Sequence, residues 1–257
     1  MKEMNEMDYP MSLSGKKILI TGASSGIGRA TAIYCSNLGA HVVLTGRNEE
    51  RLTDTKNAMK NGEHMVLAQD LTCNEGLESF FRTIVEQTGP LDGMVHCAGI
   101  PGIIPLKALS RQKLERVMEI NFYAFVELVR QFGKKKNSAD GASVVGISSA
   151  LVRHPCAYEA AYISSKAALE AVVPVMAMEL KKRRIRVNSL RPGNVRTEMI
   201  ERVIEEFGNK ERMENTAQAS ILGWQTPDEI AKVCAFLLGD GASAITACNI
   251  SADGGFR

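Results

Sequence analysis

One α/β domain, built as a doubly wound parallel sheet with helices on both faces, is predicted by three observations. These are seven short apolar runs, helical periodicity between them, and a glycine-rich turn directly after the first run. The runs are KKILIT (16–21), AHVVLT (40–45), HMVLAQD (64–70), LDGMVHCAG (91–99), ASVVGIS (142–148), IRVNSL (185–190) and ACNISAD (247–253). They are apolar nearly throughout and do not alternate, as strands buried on both faces should be. Between them GRATAIYCSNLG, LESFFRTIVEQTG, QKLERVMEINFYAFVELVRQF and SKAALEAVVPVMAMELKKR place apolar residues at 3.6-residue spacing. With 257 residues, 45% hydrophobic and 23% charged, the chain can bury one substantial core. Residues 1–12, MKEMNEMDYPMS, are expected to form a flexible leader ahead of a domain spanning 13–257.

The net charge of +2, with both signs mixed along the length, supplies no basic field for nucleic acid. Six cysteines at 35, 73, 97, 156, 234 and 248 form no C-x-x-C pair, which argues against a zinc site and a disulfide framework. Free thiols suit a reducing cytoplasm, and no run of about 18 apolar residues suggests a membrane span. The segment 198–224 reads as polar with isolated Met, Ile and Leu, suited either to a mobile lid or to a plain surface helix pair. Pro174, inside the helix that starts near Tyr162, removes one helical hydrogen bond.

After the first strand comes TGASSGIGRA (21–30). Gly22, Gly26 and Gly28 let a strand turn tightly, bring its backbone to a pyrophosphate and enter a helix whose amides face the anion. The context of strand, glycines and helix is the one in which this spacing signals dinucleotide binding. The second strand ends LTGRN: Gly46 stands where an acid would bond the adenosine ribose, and Arg47 follows. A guanidinium grips a 2′-phosphate that an acid would repel, so NADP(H) is favoured over NAD(H). Glu49 and Glu50 nearby are a counterweight.

AYISSKAAL (161–169) places Tyr162 and Lys166 one helical turn apart, with Cβ atoms about 6 Å apart. Taken alone, such a pair is better read as the ordinary exposed face of an alanine-rich helix. Taken in order, however, TGASSGIG, QDLT, HCAG, Asn121, ISS at 147–149, Tyr162 with Lys166, RPGNVRT (191–197) and ADGG (252–255) resemble the short-chain dehydrogenase/reductase family from Leu13 to Phe256.

The resemblance implies a Rossmann-type sheet of seven strands, and a hydride exchanged between a nicotinamide and a carbonyl or alcohol. It assigns catalysis to Asn121, Ser149, Tyr162 and Lys166; Ser149 is chosen over Ser148 because it precedes Tyr162 by 13 residues, the family's spacing. Tyr162 would protonate the substrate oxygen, Ser149 steady it, Lys166 hold the nicotinamide ribose and lower the phenol's pKa from near 10, and Asn121 hold a water linking Lys166 to solvent. Ser24, Ser25 and Ile27 would meet the phosphates, Asp70 and Leu71 the adenine, and Ala98 and Gly99 the adenosine-side ribose. Pro192, Gly193, Val195 and Thr197 would meet the nicotinamide amide and pyrophosphate. Asp70 has a second reading, as a cap of its own turn.

Two departures stand out. His96-Cys97 replaces the family's Asn-Asn, a change expected to touch stability more than chemistry. The stretch after Thr197 lacks a large apolar lid, which favours a polar or carrier-bound substrate. Arg153, His154 and Tyr158 are expected to overhang the substrate. Basic runs at 134–136 and 181–184 suit helix ends, and Arg183 lies where related 3-oxoacyl-carrier-protein reductases dock the acidic carrier. The reading is an NADP(H)-dependent reductase of a ketone, such as a 3-oxoacyl thioester, forming a homotetramer or homodimer through its two long helices. The alternatives are an NAD(P)-dependent dehydrogenase of a sugar, polyol or steroid, and a non-catalytic nicotinamide-binding regulator.

Overall fold

Each apolar run becomes a parallel strand: β1 (Lys17–Thr21), β2 (His41–Gly46), β3 (Met65–Ala68), β4 (Leu91–His96), β5 (Ser138–Ile147), β6 (Arg186–Pro192) and β7 (Asn249–Ala252). The computed structural model describes residues 11–207 and 220–256. Residues 1–10 of the expected leader and 208–219 of the expected lid lie outside the described residues. The strands form one sheet in the order β3-β2-β1-β4-β5-β6-β7, with every adjacent pair parallel.

The helices are α1 (Gly26–Asn37), α2 (Glu49–Asn57), α3 (Asn74–Thr88), α4 (Arg111–Met118), α5 (Ala124–Phe132), α6 (Ala160–Glu179), α7 (Glu198–Phe207) and, at Pro227–Leu238, α8. Successive strand residues point to opposite faces. Ile18 and Ile20 join a core with Cys35 of α1, Leu52 of α2 and Ile230 of α8. Leu19 joins the opposite core with Phe81 of α3, Phe125 of α5 and Leu169 of α6. Phe81, Phe125 and Phe132 are fully buried, each contributing about 1.5–3 kcal/mol relative to exposure. Pro174 lies within α6, which runs unbroken past it. By length and composition α6 could cross a membrane, yet Leu169, Val173 and Ala177 pack into the core beneath the sheet.

β5 starts earlier than its apolar run predicts. Ser138 pairs with Leu91 and the next pair is Gly93 with Ser143, so the chain between bulges outward. Asp140 and Gly141, the latter at φ +81°, make this bulge, and polar bulge residues hide a strand from an apolar pattern.

The chain leaves β1 toward β2 on one side and returns to β4 on the other. This reversal opens a crevice at the carboxyl ends of β1 and β4.

Candidate active site

The turn after β1 is built from glycines that no other residue could replace. Gly22 sits at φ +63°, and a Cβ there would lie 2.8 Å from the backbone N of Ala98; a Cβ on Gly28 would lie 2.2 Å from the carbonyl oxygen of Gly22. Ser25, at the N-cap of α1, makes no side-chain capping bond, and the first turn carries no acid. The first-turn amides are therefore open to an anion. Thr197, at the start of α7, closes the turn from above, within 3.2 Å of where a Gly26 Cβ would stand.

The turn opens into a cavity of about 880 Å³ at the carboxyl end of the sheet. Ser24, Ser25, Gly26 and Ile27 form its floor, with Arg47, Asp70 and Leu71 on one side and Ala98 and Gly99 beyond β4. Pro192, Gly193, Val195 and Thr197 line it from the end of β6. Asp70 also fulfils its second reading: its Oδ1 accepts from the backbone N and the hydroxyl of Thr72 at 3.0 and 2.8 Å. Those bonds, with Arg47 nearby, hold its carboxyl below the usual range. The glycine cradle, the uncapped amides and Arg47 fit an NAD(P) dinucleotide.

Ser149, Tyr162 and Lys166 converge on the same cavity. Lys166 Nζ stands 5.7 Å from the centroid of the Tyr162 ring and donates to the Ile147 carbonyl at 2.8 Å. Ser149 hydrogen-bonds the phenol, which lowers its pKa, but burial outweighs this and pushes Tyr162 up to about 12. Burial pulls Lys166 down to about 8. This corrects the expectation of an acidified phenol: desolvation of both groups dominates while the ammonium is turned to a carbonyl.

Asn121 lies behind the cavity wall, in a π-turn, Glu119–Tyr123, between α4 and α5. Its Oδ1 accepts from the Ile100 N at 2.8 Å, and its Nδ2 donates to the Ile100 carbonyl at 3.1 Å and to Ser165 Oγ at 3.0 Å. The side chain thus ties the loop after β4 to α6. His96 is fully buried, with Nδ1 3.0 Å from the Thr21 hydroxyl. Burial and the neighbouring Lys166 lower its pKa to about 3, so it is neutral. Among the described residues no group of three His, Cys, Asp or Glu could hold a metal.

Several features were not anticipated. Ser148 Oγ donates to Glu170 at 2.6 Å, and Arg191 Nε donates to the same carboxylate at 2.6 Å, all three residues being buried. This ion pair joins the end of β5, the helix carrying Tyr162, and the start of the Pro192–Gly193 loop. α7 overturns the reading of a polar segment: Met199, Ile200, Val203 and Ile204 line the cavity while Glu201 and Glu205 are exposed. The i, i+1, i+4, i+5 spacing of these apolar residues was the available signal. Ile100, Ile103 and Leu151 extend the apolar wall.

Tyr158 lines the cavity at φ +75°, a left-handed conformation rare for a bulky residue. Its carbonyl accepts from the Ile104 N at 2.7 Å, joining the loop after β4 to the loop after β5. Arg153 is exposed, and His154 packs on Phe256 with ring centroids 5.5 Å apart; neither lines the cavity. Arg183 donates to Asp140 at 2.8 Å and to the Gly133 carbonyl and Ser138 hydroxyl at 3.1 Å each, so its guanidinium clasps the β5 bulge.

Comparison with known proteins agrees with this geometry. A family model described as enoyl-(acyl carrier protein) reductase matches residues 22–257. The short chain dehydrogenase/reductase astE of Aspergillus oryzae is 29% identical over 257 residues, covering 98% of both chains. The 3-oxoacyl-[acyl-carrier-protein] reductase FabG of Rickettsia prowazekii is 31% identical, covering 95% of this chain and 98% of its own. A crystal structure of a dehydrogenase/reductase from Sinorhizobium meliloti superposes with a TM-score of 0.86 at 30% identity, over 96% of each chain. With this sheet order, this turn and these matches, the chain belongs to the short-chain dehydrogenase/reductase family, NAD(P)-dependent oxidoreductases acting on carbonyls and alcohols.

Proposed function

We propose that the protein reduces an apolar ketone, such as a 3-oxoacyl thioester, with NADP(H). The observation that carries this reading is one cavity with two unlike ends. Ser149, Tyr162 and Lys166 meet an apolar wall of Ile100, Leu151, Met199 and Val203 at one, while Arg47 follows a carboxylate-free Gly46 at the other.

The bound dinucleotide supplies the hydride. Gly22, Ser24, Ser25, Gly26, Ile27 and Gly28 hold the pyrophosphate, Asp70 and Leu71 the adenine, and Ala98, Gly99, Pro192, Gly193, Val195 and Thr197 the rest. Tyr162, a phenol protonated at neutral pH and held so further by burial, stands ready to give its proton to the oxygen that gains charge. Ser149 steadies that oxygen beside it. Lys166, drawn from the Ile147 carbonyl to the ribose hydroxyls, brings its ammonium to the phenolate formed and holds it. Asn121 fixes the Ile100 loop against α6; its side chain, spent on those bonds, does not take the expected water, and the proton returns to the phenolate through Lys166.

A sugar or polyol would leave hydroxyls unpaired against the apolar wall, which disfavours them. Arg183 is a poor docking group for an acidic carrier, since its guanidinium is engaged internally. A homodimer or homotetramer is proposed through the two long helical stretches, α4 and α5 with the π-turn between them, and α6, where Tyr123, Val175 and Met178 are exposed apolar side chains. A cytoplasmic location fits the expected free thiols.

The test is NADPH oxidation with 2-alkanones and 3-oxoacyl thioesters of increasing chain length, against a panel of sugars. The expected result is a kcat/KM that rises about threefold to fourfold per methylene until the slot is filled. Turnover of sugars alone would replace this reading with the polyol dehydrogenase, and turnover of none would favour the regulator.

A further inference from the structure

Asn48, at the N-cap of α2, accepts from the backbone N of Arg51 at 2.9 Å and so fixes Arg51 in the first turn after Arg47. Both arginines line the adenosine end of the cavity. Arg51 is paired across the cavity with Glu198, the first residue of α7. Glu198 has a second guanidinium, that of Arg202 one turn along its own helix, at 3.7 Å. The other carboxylate lining this end is Asp70, which feels Arg47, while Glu49 and Glu50 of the first turn of α2 are exposed and do not line the cavity. This end therefore holds three arginines and two carboxylates among the described residues, and each carboxylate already lies beside an arginine.

A phosphate dianion entering here competes for a guanidinium with a monoanionic carboxylate. Forked, charge-assisted bonds favour the phosphate. Arg51 can leave Glu198 without stranding a bare charge, because Arg202 remains beside the carboxylate. A dinucleotide with a plain 2′-hydroxyl offers Arg51 no such exchange, and the pair stays closed.

We propose that Arg51 is a second ligand of the 2′-phosphate of NADP(H), and that Glu198 sets the strength of that contact by competing for the same guanidinium. The proposal rests on the NADP(H) reading above. It makes Glu198, far from β2 in sequence, a determinant of cofactor selectivity.

The test is the dissociation constant of NADPH and of NADH for the full chain, measured by calorimetry without substrate. Adenosine 2′,5′-bisphosphate and 5′-AMP serve as probes of the phosphate alone. Arg51→Ala is expected to weaken NADPH and the bisphosphate about tenfold or more, and to leave NADH and 5′-AMP unchanged. Glu198→Gln is expected to tighten NADPH about twofold to fivefold, the range of an exposed ion pair, with no effect on NADH. Arg202→Ala, which leaves Glu198 to Arg51 alone, is expected to weaken NADPH selectively. Arg51→Lys, retaining charge without the fork, should fall between Arg51→Ala and the natural chain. NADPH preference surviving intact in Arg51→Ala, or equal effects of Glu198→Gln on both dinucleotides, would overturn the proposal alone. Equal affinity of the natural chain for NADPH and NADH would overturn it together with the cofactor reading.

Discussion

Lys166 Nζ lies 5.7 Å from the Tyr162 ring centroid, yet its short hydrogen bond, 2.8 Å, is to the Ile147 carbonyl. The two side chains share a helix face as their spacing dictates, but each is governed by its own burial. The phenol stays protonated to about pH 12 and the ammonium to about pH 8.

Reduction needs the phenol proton and the lysine charge together, and raising the pH removes the charge first. The rate of carbonyl reduction is therefore expected to be level on the acid side and to fall as pH rises through about 8. In Lys166→Arg, whose side chain stays charged, the fall should move to higher pH even if the maximum rate drops. A pH profile of kcat/KM decides; an unchanged limb in Lys166→Arg would remove Lys166 from this role.

Tyr162→Phe deletes only the hydroxyl. Turnover is expected to drop about 10²–10⁴-fold, the usual contribution of a general acid, with the thermal unfolding midpoint within a few degrees of the natural protein. Steady-state assays beside a melting curve separate loss of chemistry from loss of fold.

Gly28→Ala would force a methyl against the Gly22 carbonyl, 2.2 Å away. Overpacking of this kind costs about 1–3 kcal/mol and lifts the amides out of line with a pyrophosphate. The NADPH-induced rise in melting temperature should disappear, whereas Gly141→Ala, with open space around it, should leave it intact despite local backbone strain.

Removing one partner of the Glu170–Arg191 pair leaves a buried charge alone. Glu170→Ala is expected to cost about 3–5 kcal/mol, and replacing both residues with apolar ones should recover part of it. Chemical denaturation of the two single variants and the double variant forms the cycle; additive losses would show that the pair is not coupled.

Arg183→Ala strips partners from the Ser138 hydroxyl and the Gly133 carbonyl. A loss of about 1–3 kcal/mol is expected, with equal effect on turnover of free and carrier-bound thioesters. A selective loss on the carrier-bound form would return Arg183 to docking.

The strands and the glycine turn were legible because burial on both faces forces apolar runs and because close backbone approach forces glycine. Tyr162 and Lys166 were legible by order and spacing among motifs. What escaped depends on partners distant in sequence. Glu170 looks like any acid on a helix until Arg191 closes on it. Arg183 looks like one cation in a basic run until Asp140 and Ser138 of β5 and the carbonyl of Gly133 present oxygens to it. The apolar row of α7 is visible in its spacing but masked in composition, because its glutamates lower the average hydropathy. Helical proximity of Lys166 points to a lowered Tyr162 pKa, but desolvation, which only the assembled fold sets, raises it.

Tyr158 shapes the cavity mouth. A residue held in the left-handed region by a hydrogen bond from Ile104 welds two loops from different strands into a single rim. Glycine at 158 would keep that backbone and its bond to Ile104 without strain while removing the ring, and the entrance would then widen for bulkier guests without any change at the reacting atoms. Selectivity for guest size can drift here while the chemistry below stays untouched.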